Sequence, residues 1–387
     1  MDKHKLAIIV ALVTFAAASA VAPAVAMTAD EQSKAQLTKG EGLLGAGNFA
    51  AAEVELRKVI DEFPSTEWTF WARVRLSECY YHQGRFDDCI LEARRVVNLY
   101  PSQAPQLAAA WAQVNVGLGY KGKGELDAAI WELEKVESIL GNHEDRGPVL
   151  KAKYEMALAH HNRNNRAASI SLCRAILFDP KATDHDRAFA LVVLGSSLID
   201  DWRIDEGLAE LQKVRDQYPG LQDAILAAER RILESKYIAR HDYDGAIREG
   251  RVIIESPAVS EGRARQARYF MALACFRKGD YDSAISEAQT LLDNYPVFGE
   301  DHRQCYALKA RAYAMKKDYA QAISCLESLL ATNPTDPEMR AIVEWDIATC
   351  YKALGDSTRA NERLQRITNL YPRSHLALRA VQELKKR

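Results

Sequence analysis

Apolar residues in this chain stand three and four positions apart, in runs that close at a proline and then begin again. Ala284, Ile285, Ala288, Leu291 and Leu292 form one such stripe, a spacing that puts side chains on one face of an α-helix. Pro64, Pro101, Pro180, Pro219, Pro257, Pro296, Pro334 and Pro372 close successive runs at intervals of 37, 79, 39, 38, 39, 38 and 38 residues. The longest interval is two periods with one proline missing. A recurrence of this length predicts a stack of similar units, none of which can bury its apolar face alone. Twelve residues before the prolines stand Ala52, Cys89, Ala168, Gly207, Ala284, Ala322 and Ala360, with Ala246 one place out. Ala129 takes this position in the unit without a proline. A small side chain there lets two helix backbones approach closely, where a leucine would hold them apart.

Three residues before the small residue comes an aromatic or aliphatic: Phe49, Phe86, Leu126, Ile204, Tyr243, Tyr281 or Tyr319. Turn formers precede these, as in Gly47-Asn48, Gly84-Arg85, Gly124-Glu125, Gly279-Asp280 and Gly355-Asp356. Glycine tolerates the left-handed conformation that stops a helix, so each unit reads as helix, short turn, helix, stop.

These residues resemble the tetratricopeptide repeat, in which a turn glycine, an aromatic two residues on, a small residue and a closing proline recur in paired helices. Residues 79–86 and 274–281 carry the resemblance closely. It implies an all-α fold, a right-handed superhelical solenoid of about nine helix-turn-helix units. The units end near residues 64, 101, 141, 180, 219, 257, 296, 334 and 372. The fourth and fifth depart from the pattern at the turn, at Asn162 to Asn165 and Asp200 to Trp202. The period also exceeds the family's usual length of about 34 residues, the extra residues falling after the proline. Aromatic-proline endings such as Phe63-Pro64-Ser65 and Tyr100-Pro101-Ser102 are similar to repeats of bacterial envelope families. Those families are the outer-membrane assembly lipoproteins and the Tol–Pal coordinators.

Residues 1–26 read as a signal peptide. Lys3 and Lys5 precede an apolar run from Leu6 to Ala20, Pro23 breaks it, and Ala24-Val25-Ala26 offers small residues for cleavage. The expected mature chain is 27–387, periplasmic or secreted, with membrane contact only through the leader if it stays uncleaved. The first cysteine is Cys79, so a lipid anchor near the leader is not expected. The glycine-flanked polar stretch 141–148 is the expected position of any hinge, and residues 375–387 the expected capping helix.

Composition supports a folded chain, 48% hydrophobic and 27% charged. A formal net charge of −2 offers no electrostatic case for nucleic acid. The seven cysteines have no CxxC spacing, so buried thiols are expected, with Cys79 and Cys89 the best pair for a disulfide. Gly40-x-Gly42-x-x-Gly45 and Gly117-x-Gly119-x-x-Gly122 match a dinucleotide fingerprint, but no strand precedes either. His160-His161 point about 100° apart on a helix and chelate poorly together. No spacing singles out a catalytic carboxylate, nucleophile or metal site, and no cofactor is expected.

The resemblance directs attention to the concave face lined by the first helix of each pair, where family members hold ligands. The positions carried over are Trp71, Val74, Glu78 and Tyr81, then Trp111, Val114, Leu118 and Lys121, then Lys153 and His160. Phe189, Val192 and Arg231 follow, then Tyr269, Leu273, Phe276 and Arg277, and finally Arg311, Trp345 and Lys352. Aromatic anchors between Lys and Arg suit a protein or peptide partner, and one with an acidic group. The expected function is therefore an exported, non-enzymatic scaffold. The alternatives are a structural subunit working through its convex face or stack ends, an exported hydrolase, and a polysaccharide-binding accessory.

Overall fold

The computed structural model describes residues 27–256, 259–294, 299–332 and 335–386. The leader, Pro257, Pro296, Pro334 and Arg387 lie outside them. Among the described residues there are nineteen α-helices and no strand. The first helices of nine pairs are α1 (Ala29–Gly45), α3 (Trp68–His82), α5 (Gln106–Gly122), α7 (Gly147–Asn162), α9 (Asp184–Asp200), α11 (Gln222–Glu234), α13 (Glu261–Lys278), α15 (Gly299–Met315) and α17 (Pro337–Ala353). Their partners are α2 (Phe49–Glu62), α4 (Phe86–Val97), α6 (Leu126–Leu140), α8 (Arg166–Phe178), α10 (Ile204–Gln217), α12 (Tyr243–Ile254), α14 (Tyr281–Asn294), α16 (Tyr319–Ala331) and α18 (Ser357–Leu370). The helix α19 (His375–Leu384) follows. Among the described residues, no helix is long and apolar enough to cross a membrane.

The helices form two compact units, one ending at Val193 and the other beginning at Leu194. The stretch expected to hinge lies inside the first. There the Gln106 side-chain amide donates to the carbonyls of Ile139 and Leu140 at 3.1 and 2.9 Å. Arg146 ties the Gly141 carbonyl at 3.1 Å to the Glu137 carboxylate at 2.7 Å.

One turn geometry serves all nine pairs. Gly47, Gly84, Gly124, Gly279 and Gly355 have positive φ, and Asn164, Trp202, His241 and Lys317 adopt it where glycine is missing. The units that depart from the family at the turn thus keep its backbone with residues that pay more strain for it. The next residue is the N-cap of the second helix, and in six of the nine pairs its side chain caps it. Asn48, Asn165, Asp242, Asp280, Asp318 and Asp356 each accept a hydrogen bond from the amide three residues on.

The small buried residue always stands four places after this cap. That register places the fully buried Ser169, not Ala168, at the fourth contact, and it puts Ala246 in line with the others. The distance is set by the turn, because α8 has 13 residues where α2 and α10 have 14, and counting back from the proline slips by one. In the fifth pair both backbones meet at glycine. A Cβ on Gly207 would lie 2.6 Å from the Gly195 carbonyl oxygen.

A second register crosses five of the nine hairpins. Nineteen residues separate Gln36 from Glu55, Arg73 from Glu92, Gln113 from Glu132, Arg268 from Glu287 and Glu344 from Arg363, and each pair is hydrogen-bonded. Glu92, Glu132 and Glu344 are buried, so the bond answers a carboxylate removed from water.

The glycine fingerprint in α5 is explained by packing. A Cβ on Gly117 would strike Leu133, and Cβ atoms on Gly119 and Gly122 would strike Ile90 and Phe86, all within 2.5 Å. None of the seven buried cysteines is in a disulfide, so the pairing considered for Cys79 and Cys89 is absent. The Cys89 thiol instead donates to the Asn115 carbonyl at 3.4 Å.

Candidate ligand groove

Most of the residues expected on the inner face already have partners. Trp71 and Trp111 are half-buried against the clusters that join consecutive pairs, while Val74, Val114 and Leu118 are core. Tyr81 packs beside Phe86, with ring centres 5.8 Å apart. Glu78 pairs with Arg75 at 3.2 Å, and Lys121 with the buried Glu155. Lys153 lies 4.0 Å from Glu137. His160 is half-buried, and burial holds its pKa below the usual histidine value. Phe189 stacks near His185 and Tyr154, at 4.7 and 6.3 Å, beside a cavity of about 160 Å³. Arg231 binds Asp200 and Glu234, Arg277 donates to the Tyr237 hydroxyl at 3.0 Å, and Lys352 pairs with Glu383 at 2.7 Å. Phe276 packs on Tyr281, and Trp345 lies under the Arg379 guanidinium at 4.9 Å. These side chains join repeats to one another more than they offer a free surface.

Three of the expected residues, Tyr269, Leu273 and Arg311, come together in one groove of about 830 Å³ inside the second unit. Its walls are α13, α15 and α17, and its floor is Leu326 and Leu329 of α16. From α13 come Tyr269 and Leu273; from α15, Arg303, Ala307, Arg311 and Ala314. On α17, Met339, Ile342, Asp346 and Thr349 stand three and four apart and so share one stripe. Ile342 is 40% exposed on this stripe. The volume is in the range of sites that enclose a small ligand or a few residues of a peptide.

Asp346 is the unusual group here. Burial pushes its carboxyl above the ordinary aspartate value, and the Arg311 guanidinium opposes the shift from a distance without an ion pair. No hydrogen bond reaches the Asp346 carboxylate among the described residues. Sequence reasoning placed Trp345 on this face, one position away. A single helical step turns the side chain by about 100°, which carries Trp345 to α19 and leaves Asp346 in the groove. The legible signal was the 339, 342, 346, 349 spacing, in which Asp346 is the one charged residue.

A tetratricopeptide-repeat family model matches residues 43–114, 275–345 and 313–384, and a second model of the same repeat matches residues 238–297. Together they span more than half of the chain. The chain belongs to the tetratricopeptide-repeat family. No curated protein matches this tetratricopeptide-repeat chain in sequence. Among solved structures, the apo form of RapI is 14% identical, with a TM-score of 0.57 over 92% of this chain and 99% of that one. The apo form of the quorum sensor NprR from B. thuringiensis is also 14% identical, with a TM-score of 0.53 over 89% and 99%. A tetratricopeptide repeat protein from Parabacteroides merdae is 15% identical, with a TM-score of 0.44 over 71% and 97%. RapI and NprR share the all-helical solenoid fold with this tetratricopeptide-repeat protein.

Proposed function

We propose that this tetratricopeptide-repeat protein is an exported, non-enzymatic scaffold that holds a protein or peptide partner in the groove walled by α13, α15 and α17. The observation that carries this reading is the groove itself: about 830 Å³, mostly apolar, with an exposed Ile342 and four charged residues, Arg303, Arg311, Asp336 and Asp346. Apolar anchoring with a few placed charges is how helical repeats take a peptide, and it needs no covalent chemistry. Lys3, Lys5 and the apolar run to Ala20, followed by Ala24-Val25-Ala26, support export to the periplasm or beyond. A shared fold leaves function to the site, so RapI and NprR add no partner to this reading.

The test is in-cell crosslinking of the tagged full chain with mass spectrometry, beside Ile342→Glu and with folding checked by circular dichroism. Partners captured by the wild type and lost by the folded variant support the groove. Equal capture by both rejects it. A second reading draws on Val54, Leu91 and Trp131, which are 54%, 56% and 60% exposed at equivalent positions of α2, α4 and α6. Crosslinks that map to this row would favour a structural subunit assembled through its second helices.

A further inference from the structure

The chain pairs its deeply buried carboxylates with care, and Asp346 is half-buried. Glu229 meets Arg263 at 2.6 and 2.9 Å, Glu344 meets Arg363 and Arg366 at 3.2 and 2.8 Å, and Glu155 takes both Lys121 and Lys151. Asp346 has no such partner among the described residues, although it stands in an aliphatic wall. An ionised carboxylate drawn away from water without a cation is unfavourable, and the fold offers it only the distant Arg311. Of the basic side chains first expected to recognise an acidic partner, Lys121, Lys153, Arg231 and Lys352 are already taken by carboxylates of this chain, and Arg277 by the Tyr237 hydroxyl. Arg311, the remaining one, lines the groove unpaired among the described residues but exposed to water, so the charge that the groove holds partly out of water without a partner is the negative one of Asp346.

We propose that the groove receives a peptide segment that presents a basic side chain to Asp346 and lays aliphatic side chains on Leu273, Ala307 and Ile342. This rests on the peptide-groove reading above and deepens it by fixing the charge of the ligand. Charge complementarity selects the occupant: a neutral aliphatic segment would seal the Asp346 carboxylate away from water unpaired. An acidic one would face it directly. A lone carboxylate in an aliphatic wall is a poor site for a metal ion, which wants several ligands. A lysine or arginine satisfies it with one hydrogen-bonded pair.

Three pools of capped octapeptides, randomised over Leu, Ile, Ala and Ser with a fixed central Lys, Glu or Met, serve as probes. Binding to the full chain is read by isothermal titration and by ligand-observed NMR. The Lys pool should bind about tenfold or more tighter than the Met pool, the ratio expected for a charge-assisted pair. Asp346→Asn should erase that preference while keeping the aliphatic contribution. Asp346→Lys should transfer the preference to the Glu pool, a gain that misfolding cannot imitate. If the Met pool binds as well as the Lys pool and Ile342→Glu abolishes both, the groove binds peptides but the charge assignment fails. A Glu pool that binds best to the wild type overturns the assignment in favour of Arg311. If no pool binds, or Ile342→Glu changes nothing, the groove reading and this inference fall together.

Discussion

Replacing Gly207 with alanine tests whether the backbones of α9 and α10 truly touch. The added Cβ would lie 2.6 Å from the Gly195 carbonyl oxygen, 2.7 Å from Ile199 Cγ1 and 3.0 Å from the Ile199 amide nitrogen. Two of these neighbours are backbone atoms of a helix, so α10 must retreat by roughly 0.5–1 Å, which forfeits a quarter to a half of the dispersion energy at each contact. Overpacking of this kind costs about 1–3 kcal/mol. Alanine is better than glycine in a helix by about 1 kcal/mol, which offsets part of that loss. The net expectation for Gly207→Ala is a loss of up to about 2 kcal/mol, and so about 1–3 kcal/mol below Gly42→Ala. Gly42→Ala is the matched control, because a Cβ there meets nothing within 4 Å and only the propensity gain of about 1 kcal/mol remains. Urea denaturation followed by circular dichroism compares the midpoints, and hydrogen exchange in α9 and α10 localises the change. A Gly207→Ala chain as stable as Gly42→Ala, with unchanged exchange in both helices, would refute the close approach.

Arg263→Ala strips the 1% exposed Glu229 of its bidentate partner and leaves Arg215 at 3.9 Å, a loss of about 3 kcal/mol in urea denaturation. Trp202→Gly replaces a bulky side chain at a φ of 63° with the residue that tolerates it, and the unfolding midpoint should rise by the equivalent of about 1 kcal/mol. Asp346→Asn should raise Tm at pH 7, because the folded-state carboxyl is pushed up and its ionised form is a burden above that raised value. The gap to wild type should close as pH falls through the raised value toward the ordinary 3.8, where both chains are neutral at this position. Burial pushes the thiols of Cys79, Cys89 and Cys173 up to about 12, so a thiol reagent at pH 8 should label them only after denaturation, as read by peptide mass spectrometry.

The repeat was legible because its signals are local. The turn, the cap and the small residue fall within a dozen positions, and their recurrence gave nine helix pairs. Ser169 escaped because the count ran back from a proline, whereas the physical constraint runs forward from the cap. The site was harder for two reasons. Adjacent residues such as Trp345 and Asp346 differ by one helical step, and periodicity fixes the apolar stripe more firmly than the stripe beside it. Partners such as Glu155 for Lys121 and Glu229 for Arg263 lie 34 residues apart, on the neighbouring repeat. No window narrow enough to read a helix reveals that such a charge is already answered.

The nineteen-residue pairing bears on how the chain is made. Synthesis delivers about 5–20 residues per second, so a repeat of this length takes seconds to appear. Helix formation and short-loop closure take microseconds or less. Gln36 can find Glu55, and Arg73 can find Glu92, while the rest of the chain is still being produced. Each hairpin then presents a finished face to the next arrival, and a chain threaded outward from its N-terminus would assemble in the order in which it emerges.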